Sequence, residues 1–411
     1  MADDRLQNKE RLRKRVISRG DRVPAGMSAQ EGSTGSRIFV IFVLLVIAVA
    51  VLFVIRHNTY TAEGYTEVWE KEISGSSVTF RGFAKFGNGL IMYSRDGAEY
   101  IDRKGNSVWQ KSFQMNDPCC DVNDGYAVVY DKGGTKLCIF STEQSTGDAQ
   151  TAMALSKAVV SAKGVVYMIE SDRDASYINA CRKDGTTIDL SVKSVVNGDG
   201  YPFDIAVSPS GEQLLTSYIS VGSSEVKESL VFRNFGSVGQ DTDAKRVVGG
   251  FMDEFEGHIV TDVTFATDEY SHAFYDGGVA FFSTKVLNSP ELITNIEIEE
   301  TMLGVADCAE HTAVITEQSD DTADETRQLL IFDNNGRQTG SAEFTLNYTG
   351  LAVGDKNVVI YDQNEIYVYS FSGRKVASVT YDGRISSVIC TNRLREFIVS
   401  ESGRIVRIKA S

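Results

Sequence analysis

The chain has 411 residues and a formal net charge of −15 at pH 7, which argues against nucleic-acid binding because phosphates would be repelled. Only 5 residues are Pro, whereas 36 are Gly, 17 are Tyr and 21 are Phe, a composition that favours short strands and tight turns. The 6 Cys have irregular spacing that fits neither a disulfide framework nor a zinc site, and we predict small buried side chains.

The first predicted element is a membrane-spanning helix. Ile38 to Ile55 are all apolar, without a charge, a Gly or a Pro. As a helix this run would be about 27 Å long, close to the hydrocarbon thickness of a bilayer. We assign residues 37–56 to an uncleaved signal anchor, and a cleaved signal peptide is the alternative. Nine basic residues against five acidic ones precede the run, so the N terminus is expected in the cytoplasm and the large domain outside it, at the cell membrane.

Residues 1–36 are predicted to be a basic cytoplasmic tail that ends in a flexible linker. Arg11, Arg13, Lys14 and Arg15 are candidate contacts with anionic lipid, each worth about 1 kcal/mol near such a surface. Alternatively, these charges only fix the topology of the helix. Residues 57–66 are predicted to be a juxtamembrane linker. Residues 57–411 carry −20, since residues 1–56 contribute +5 to the total of −15.

Beyond the linker the chain repeats every 40 to 50 residues. The clearest unit, Ser77 to Phe113, contains four strand-like runs separated by Gly-containing turns. The turn before the last run recurs around Gly105, Gly185, Gly236, Gly336 and Gly373, and less clearly around Gly147. We place the repeat that lacks this turn at His258 to Glu297. Four strands in a repeat of this length are typical of a β-propeller blade.

Repeat units are predicted to begin near Val78, Cys119, Ala158, Phe203, Ile259, Met302, Leu351 and Ile385. The eighth unit lacks one strand before the chain ends. Glu67 to Ile73 (EVWEKEI) matches the closing run SVWQKSF of the first unit, so we predict that residues 67–73 complete the ring. The predicted fold is an all-β propeller of eight four-stranded blades over residues 67–411, with seven blades as the second choice and two β-sandwiches as the third.

One repeat resembles a known type. Asp102 to Trp109 (DRKGNSVW) resembles the docking repeat of quinoprotein-type propellers, in which a Trp four residues after a Gly turn packs on the next blade, and Trp69 echoes it. The chain has only 2 Trp, and this departure counts against a quinone-dependent dehydrogenase. As a whole, the chain resembles an uncharacterised family of single-pass membrane-anchored, WD40-like or quinoprotein-like propellers of Gram-positive bacteria. The resemblance implies a location and a fold, but no activity.

The sequence contains no recognised catalytic, cofactor-binding or metal-binding motif. The 4 His lack metal-ligand spacing, and neither a GxSxG elbow nor a Walker loop is present. Asp121 to Gly125 (DVNDG) resembles the start of a calcium loop, but Lys132 stands where the twelfth-position Glu belongs, so we predict a hairpin turn there.

The predicted binding surface consists of acidic loops. In a propeller, the loops between second and third strands and those between blades emerge on one face, and loops on a rigid scaffold often bind partners. We call the predicted surface the acidic face. Its members are Asp199, Glu225, Glu228, Asp253, Glu254, Glu256, Asp320, Asp321, Asp324 and Glu325. It would contact a cationic partner protein or collect Ca²⁺; the alternative is a solvated surface that keeps the domain soluble.

The sequence therefore favours a non-catalytic function. We expect a protein-interaction scaffold or sensor at the cell envelope, with one or more envelope proteins as partners. The alternative is an extracytoplasmic binding protein or hydrolase whose glycan or small-molecule ligand binds at the propeller axis.

Overall fold

The chain divides into two units, Met1–Tyr60 and Thr61–Ser411. Residues 39–48 of the first unit form a helix with exposed apolar side chains. Among the described residues, no helix has the length and apolar character needed to cross a membrane. The remaining positions of the predicted span 37–56, and the tail with Arg11, Arg13, Lys14 and Arg15, lie outside the described residues. A computed structural model describes residues 39–48, 61–73, 80–221, 226–241, 245–317 and 326–411.

The second unit is a β-propeller of eight four-stranded antiparallel sheets. The first strand of each blade lies nearest the axis, and the fourth strand lies outermost. Every innermost strand begins within four residues of the repeat start predicted from the sequence. Eight blades are therefore confirmed, and seven blades or paired sandwiches are wrong. The repeat placed at His258 to Glu297 is blade 5.

The N-terminal half of the ring contains blades 1 to 4, preceded by one strand of blade 8, β1 (Tyr65–Glu72). Blade 1 is β2 (Phe80–Phe86), β3 (Gly89–Ser94), β4 (Gly97–Ile101) and β5 (Ser107–Ser112). Blade 2 is β6 (Pro118–Asn123), β7 (Tyr126–Asp131), β8 (Lys136–Ser141) and β9 (Ser145–Gln150). Blade 3 is β10 (Ala154–Val160), β11 (Val166–Ser171), β12 (Ala175–Cys181) and β13 (Thr187–Val195). Blade 4 is β14 (Tyr201–Val207), β15 (Gln213–Val221), β16 (Val226–Asn234) and β17 (Val247–Phe251).

The C-terminal half of the ring contains blades 5 to 8. Two 3₁₀ turns precede it: Val238–Asp241 lies within blade 4, and Asp253–Phe255 connects blade 4 to blade 5. Blade 5 is β18 (Val260–Phe265), β19 (Tyr270–Tyr275), β20 (Gly278–Ser283) and β21 (Glu291–Glu297). Blade 6 is β22 (Thr301–Asp307), β23 (His311–Glu317), β24 (Arg327–Asp333) and β25 (Gln338–Phe344). Blade 7 is β26 (Gly350–Val353), β27 (Val358–Tyr361), β28 (Glu365–Tyr369) and β29 (Lys375–Thr380). Blade 8 is β30 (Ser387–Cys390), β31 (Glu396–Glu401), β32 (Arg404–Ala410) and β1.

The ring closes inside blade 8. Strand β1 pairs antiparallel with β32, from Tyr65 opposite Ala410 to Glu72 opposite Arg404. The chain therefore supplies the outermost strand of this blade from its N-terminal side and the inner three from its C terminus, as the matching runs indicated. The end of the segment predicted as a linker, residues 57–66, is part of the propeller instead. Ala62 is fully buried and forms a parallel bridge to Ala377 of blade 7.

The hydrophobic core consists of eight clusters, one at each interface between neighbouring blades. Strand β7 shows how the sequence produces them. Ala127 and Val129 belong to the cluster shared with blade 1, whereas Val128 and Tyr130 belong to the one shared with blade 3. Because successive side chains of a strand point to opposite faces and both faces are buried, the middle strands are mostly apolar.

The two Trp residues dock neighbouring blades in the same way. The Nε1–H of Trp109 donates to the carbonyl of Ser141 in blade 2 at 3.1 Å, and its ring stacks on Phe140 at 4.8 Å. The Nε1–H of Trp69 donates to the carbonyl of Arg103 in blade 1 at 2.9 Å. Gly105, with φ +88°, lies under the Trp69 ring, where a Cβ would come within 2.9 Å of a ring atom. The docking contact expected from the resemblance is therefore present at two interfaces.

Two repeat glycines differ from the prediction. Gly147 is not in a turn but in β9, against the Asp184–Gly185 turn of blade 3. Gly236 begins a longer connection, which contains the 3₁₀ turn Val238–Asp241, instead of a tight turn. No disulfide bond joins any of the six Cys, all of which lie within the described residues; Cys138, Cys181 and Cys390 are buried, and the other three are half-buried.

Replacement of Trp109 by Ala is expected to reduce the free energy of unfolding by about 2–4 kcal/mol, because the ring contact and the hydrogen bond are both lost. Trp109→Phe, which keeps an aromatic ring, should cost about 1 kcal/mol or slightly more. Val108→Ala is the control, since Val108 is adjacent but 47% exposed. Urea unfolding measures all three, and equal stability of Trp109→Ala and the control would contradict the docking role.

Candidate functional site

A cavity of about 790 Å³ lies at the propeller axis. Its lining includes the turn between the first and second strands of every blade, so it opens on the face opposite the acidic face. Charged side chains from several innermost strands project into or beside it. We call five of them the axial charged set: Asp121, Lys157, Asp204, Asp262 and Asp307.

Two of the axial carboxylates cap the innermost strand of the next blade. Asp121 Oδ2 accepts the backbone N–H of Val160 at 2.7 Å, which links blade 2 to blade 3. Asp204 Oδ2 accepts the backbone N–H of Val263 at 2.9 Å, which links blade 4 to blade 5. The innermost strand is the free edge of its sheet, so N–H groups that point to the axis lack a strand partner and need another acceptor.

The remaining members continue the links around the axis. Lys157 of blade 3 forms an ion pair with Asp204 of blade 4, and its Nζ lies 3.7 Å from Oδ1 of Asp262 in blade 5. The hydroxyl of Thr264 in blade 5 donates to Oδ2 of Asp307 in blade 6 at 3.0 Å. Side chains of the axial charged set therefore connect blades 2 to 6 in sequence.

The electrostatics of the set follow from burial. Burial raises the pKa of Asp121 to about 6 and the pKa of Asp307 to about 6. Burial, reinforced by the neighbouring Asp204 carboxylate, raises the pKa of Asp262 to about 7. The Asp262 side chain is 52% exposed, and it faces the axial cavity. Burial alone would lower the pKa of Lys157, but Asp204 and Asp262 outweigh it and raise this pKa.

Chemically, the arrangement can hold protons near neutral pH and attract cationic groups. It is first of all a set of contacts between blades, because each of the five side chains bonds to, or lies against, a neighbouring blade. In the part of the chain that the structure describes, no three His, Cys, Asp or Glu side chains are arranged to hold a metal ion. The predicted hairpin turn at Asp121 to Gly125 is observed between β6 and β7.

The structure places half of the predicted acidic face. Asp253, Glu254 and Glu256 are exposed in the connection between blades 4 and 5. Asp199, between blades 3 and 4, forms an ion pair with Lys245 at 2.8 Å. The other members that the sequence suggested, apart from Glu228, lie outside the described residues: Glu225, Asp320, Asp321, Asp324 and Glu325.

Glu228 differs from the prediction. It is not in a loop but in β16, where its side chain is 3% exposed, so it cannot contribute to a solvent-facing surface. Burial raises the pKa of its carboxyl to about 7. Because Glu is usually exposed, the sequence predicted a loop position for Glu228. The structure shows that β16 begins at Val226 and therefore includes Glu228.

Sequence reasoning missed the axial charged set, although a signal was present. Each member lies in or ends the first strand of its repeat, in runs such as SKAVV, FDIAV and TDVTF. A charged residue inside an otherwise apolar innermost strand must face the axis or a blade interface, because these are the surfaces that such a strand offers. Alignment of the eight repeats would therefore have found the set.

Replacement of Lys157 by Met is expected to reduce the free energy of unfolding at pH 7 by about 2–3 kcal/mol. The buried Asp204, 3% exposed, would lose its cationic partner. Adding Asp204→Asn should restore part of the loss, since Asn can still accept the Val263 N–H. Lys163→Met, at an exposed position of the same blade, is the control. Chemical denaturation that gives equal stability for Lys157→Met and the control would refute the inter-blade role of Lys157.

The raised pKa of Asp307 predicts how stability changes with pH. The folded state holds this proton up to about pH 6, whereas an unfolded Asp releases it near pH 4. The contribution to stability is therefore full below about pH 4 and is lost as pH rises through 6. Asp307→Asn should match the wild type near pH 4 and be more stable at pH 7.5, on the order of 1–2 kcal/mol.

Thermal unfolding between pH 4 and 8 tests this expectation, with Asp189→Asn at an exposed position as the control. An unchanged difference between Asp307→Asn and the wild type across that range would show that Asp307 titrates normally.

Comparison with known proteins identifies the fold and a family. No curated protein matches the chain. Chaetomium thermophilum Sqt1 bound to the N-terminus of the ribosomal protein L10 is similar at 10% identity, over 85% of this chain and 100% of that chain, with a TM-score of 0.53. Citrobacter koseri AztD is similar at 11% identity, over 79% of this chain and 90% of that chain, with a TM-score of 0.51.

The WD40 domain of Neurospora crassa Pan2 is similar at 9% identity, over 85% of this chain and 97% of that chain, with a TM-score of 0.45. At such identities the likeness to Sqt1 and AztD concerns the propeller fold alone. Residues 57–410 match the model of a family of unknown function, and this match includes the whole ring. The chain therefore belongs to the family of unknown function DUF5711.

Proposed function

We propose that this protein is a membrane-anchored β-propeller that acts outside the cytoplasm as a non-catalytic interaction scaffold or sensor at the cell envelope. The apolar run Ile38 to Ile55 and the basic residues before it support the anchor and its orientation. The net charge of −20 on residues 57–411 suits a domain exposed to solvent that attracts cationic partners.

The observation that carries the proposal is the engagement of the axial charged set. A catalytic centre at the axis would need side chains free to act on a substrate. Asp121, Asp204 and Asp307 instead accept hydrogen bonds from the next blade or the previous one, and Lys157 neutralises Asp204. These bonds serve the ring itself, which leaves the loops of its two faces as the surfaces for partners.

The acidic face is the proposed partner surface. Asp253, Glu254 and Glu256 are exposed beside one another in the connection between blades 4 and 5. They would attract a partner protein with a basic surface and would give association a marked dependence on salt. Sqt1, which has a similar fold, is bound to the N-terminus of a ribosomal protein, so a propeller of this kind can hold a protein segment.

A second candidate is ligand binding at the axis. It is favoured by the cavity of about 790 Å³, a volume within the range of small-molecule sites, and by the half-exposed Asp262. A glycan or small molecule with a cationic group would suit this site. A ligand of this kind should stabilise the wild type and lose its effect with Asp262→Asn.

In-cell crosslinking of the tagged full-length chain, followed by mass spectrometry, tests the scaffold. We expect a reproducible set of envelope proteins, altered when residues 1–36 are deleted. A charge-reversed acidic face should lose most of the set; the changes to Lys are at Asp253, Glu254, Glu256, Asp320, Asp321, Asp324 and Glu325. The matched control reverses seven exposed acids of the opposite face, namely Asp124, Glu143, Asp184, Glu212, Asp268, Glu269 and Glu310.

Equal loss of partners in the two charge-reversed variants would show that net charge, and not the acidic face, attracts them. If no protein were recovered reproducibly from the wild type, the scaffold would be rejected in favour of a ligand at the axis.

A further inference from the structure

A second cavity, of about 400 Å³, lies at the seam between blade 8 and blade 1, where the two ends of the propeller meet. We call it the seam pocket. Strand β1 contributes Val68, and β32 contributes Arg407. Two turns of blade 1, at Asn88 and at Arg103, and the turn of blade 8 at Asn392 complete its rim. The pocket therefore exists only when the ring is closed.

The charge of the seam pocket is opposite to that of the domain. Its lining has one carboxylate, Glu396, and five basic side chains: Lys85, Arg103, Lys104, Arg393 and Arg407. The domain as a whole carries −20. Because ions screen charges beyond about 8 Å at physiological ionic strength, the distant acids do not cancel this local positive potential. Such a concentration of cations is the electrostatic character of an anion site.

The basic side chains are only partly neutralised within the protein. Glu396 lies between two of them, with Arg407 on Oε1 and Arg393 at 3.1 Å from Oε2. Lys85 forms an ion pair with Asp355 at 2.8 Å. In the described part of the chain, Arg103 and Lys104 form no ion pair, and both are exposed. They supply two positive charges at the rim that a bound anion can use.

The pocket also has a rigid frame. Arg407, 8% exposed, donates from Nη1 to the carbonyl of Arg103, and the same carbonyl accepts the Nε1–H of Trp69 at 2.9 Å. Hydrogen bonds from β32 and β1 therefore hold the backbone of the Arg103–Lys104 turn in place. Its side chains start from a fixed backbone, which reduces the entropy lost when a ligand binds.

We propose that the seam pocket binds a ligand through a phosphate group. Glu396 and Asp355 together neutralise two of the five basic side chains, and the remaining excess of three positive charges suits a group with two or more negative charges. Planar guanidinium groups bind phosphate oxygens in pairs, and the lining offers three of them, on Arg103, Arg393 and Arg407. The volume fits a phosphorylated small molecule or the phosphorylated end of a larger one.

The position of the pocket links binding to ring closure. A ligand there contacts residues of β1, blade 1 and blade 8 together, so it binds the closed ring and not an opened one. Binding must then shift the equilibrium toward the closed ring. Backbone N–H groups of β1 and β32, which pair at the seam, should exchange with deuterium more slowly in the presence of the ligand.

The test uses the full-length chain purified in mild detergent and inorganic pyrophosphate as the probe, with affinity measured by calorimetry and by thermal stabilisation. The test variant is Arg103→Gln with Lys104→Gln. The chain offers a matched control, Arg182→Gln with Lys183→Gln, because these residues form the same Arg-Lys pair in the equivalent turn of blade 3. Both variants remove two exposed charges and change the net charge equally.

We expect pyrophosphate to bind and stabilise the wild type and the control equally, and the test variant to bind about tenfold more weakly or worse. Slower exchange confined to residues 65–72 and 404–410 would locate the site at the seam. Absence of pyrophosphate binding to the wild type, or equal weakening in both variants, would overturn the assignment.

Vesicles of phosphatidylglycerol in phosphatidylcholine distinguish the source of the phosphate. Flotation with these vesicles that depends on Arg103 and Lys104, compared with the control variant, would identify a lipid headgroup. Binding of pyrophosphate without such flotation would identify a soluble phosphorylated ligand.

Discussion

Pairing between β1 and β32 is the interaction on which the whole ring depends. Each blade buries apolar side chains on both faces of its middle strands, so it needs a neighbour on either side. Seven of the eight interfaces form between consecutive segments of chain. The cluster between blades 8 and 1 is different, because it joins the end of the sequence to its beginning. Until β1 pairs with β32, the ring keeps an open edge and one incomplete cluster.

The axis presents the opposite problem, since eight innermost strands direct free backbone groups toward a narrow space. Here the protein uses charged side chains in place of further strands. Asp121 and Asp204 accept N–H groups of the next blade, and Lys157 balances the charge. Burial raises the pKa of Asp121, Asp262 and Asp307, so these three carboxyls contribute less to the stability of the ring at neutral pH than at mildly acidic pH. The burial of carboxylates at the axis thus has two results: the free N–H groups are capped, and the contribution of these carboxylates to stability depends on pH.

The two faces of the ring differ in charge and in shape. Loops of the acidic face project Asp253, Glu254 and Glu256 into solvent, which suits a broad contact with a protein. The opposite face carries two concave sites, the axial cavity and the seam pocket, which lie next to each other and share Lys85 and Asn88. A partner on one face and a ligand on the other could therefore be bound at the same time. Both would act on the same closed ring.

The sequence by itself determined the all-β class, the eight repeats, their starts and the closing strand. These features depend on local patterns: strand-like runs, glycine turns such as that at Gly105, and the matching Trp69 and Trp109. Docking of a Trp on the next blade was implied by the resemblance of Asp102 to Trp109 to a quinoprotein-type docking repeat, and the structure shows it for both Trp69 and Trp109.

Only the tertiary structure decided which charged side chains meet. Asp121, Asp204 and Asp307 are far apart in sequence, and each of blades 2 to 6 contributes one member of the axial charged set, so the set is visible only when the repeats are aligned. Which of its members meet depends on the folded ring. Glu228 was assigned to an acidic loop because residue type indicates exposure on average, yet its strand buries it. The seam pocket brings together Arg103 and Arg407, which are 304 residues apart in the sequence. Periodicity in a sequence reports what recurs in every blade, whereas a site depends on the differences between blades and on the closure that brings them together.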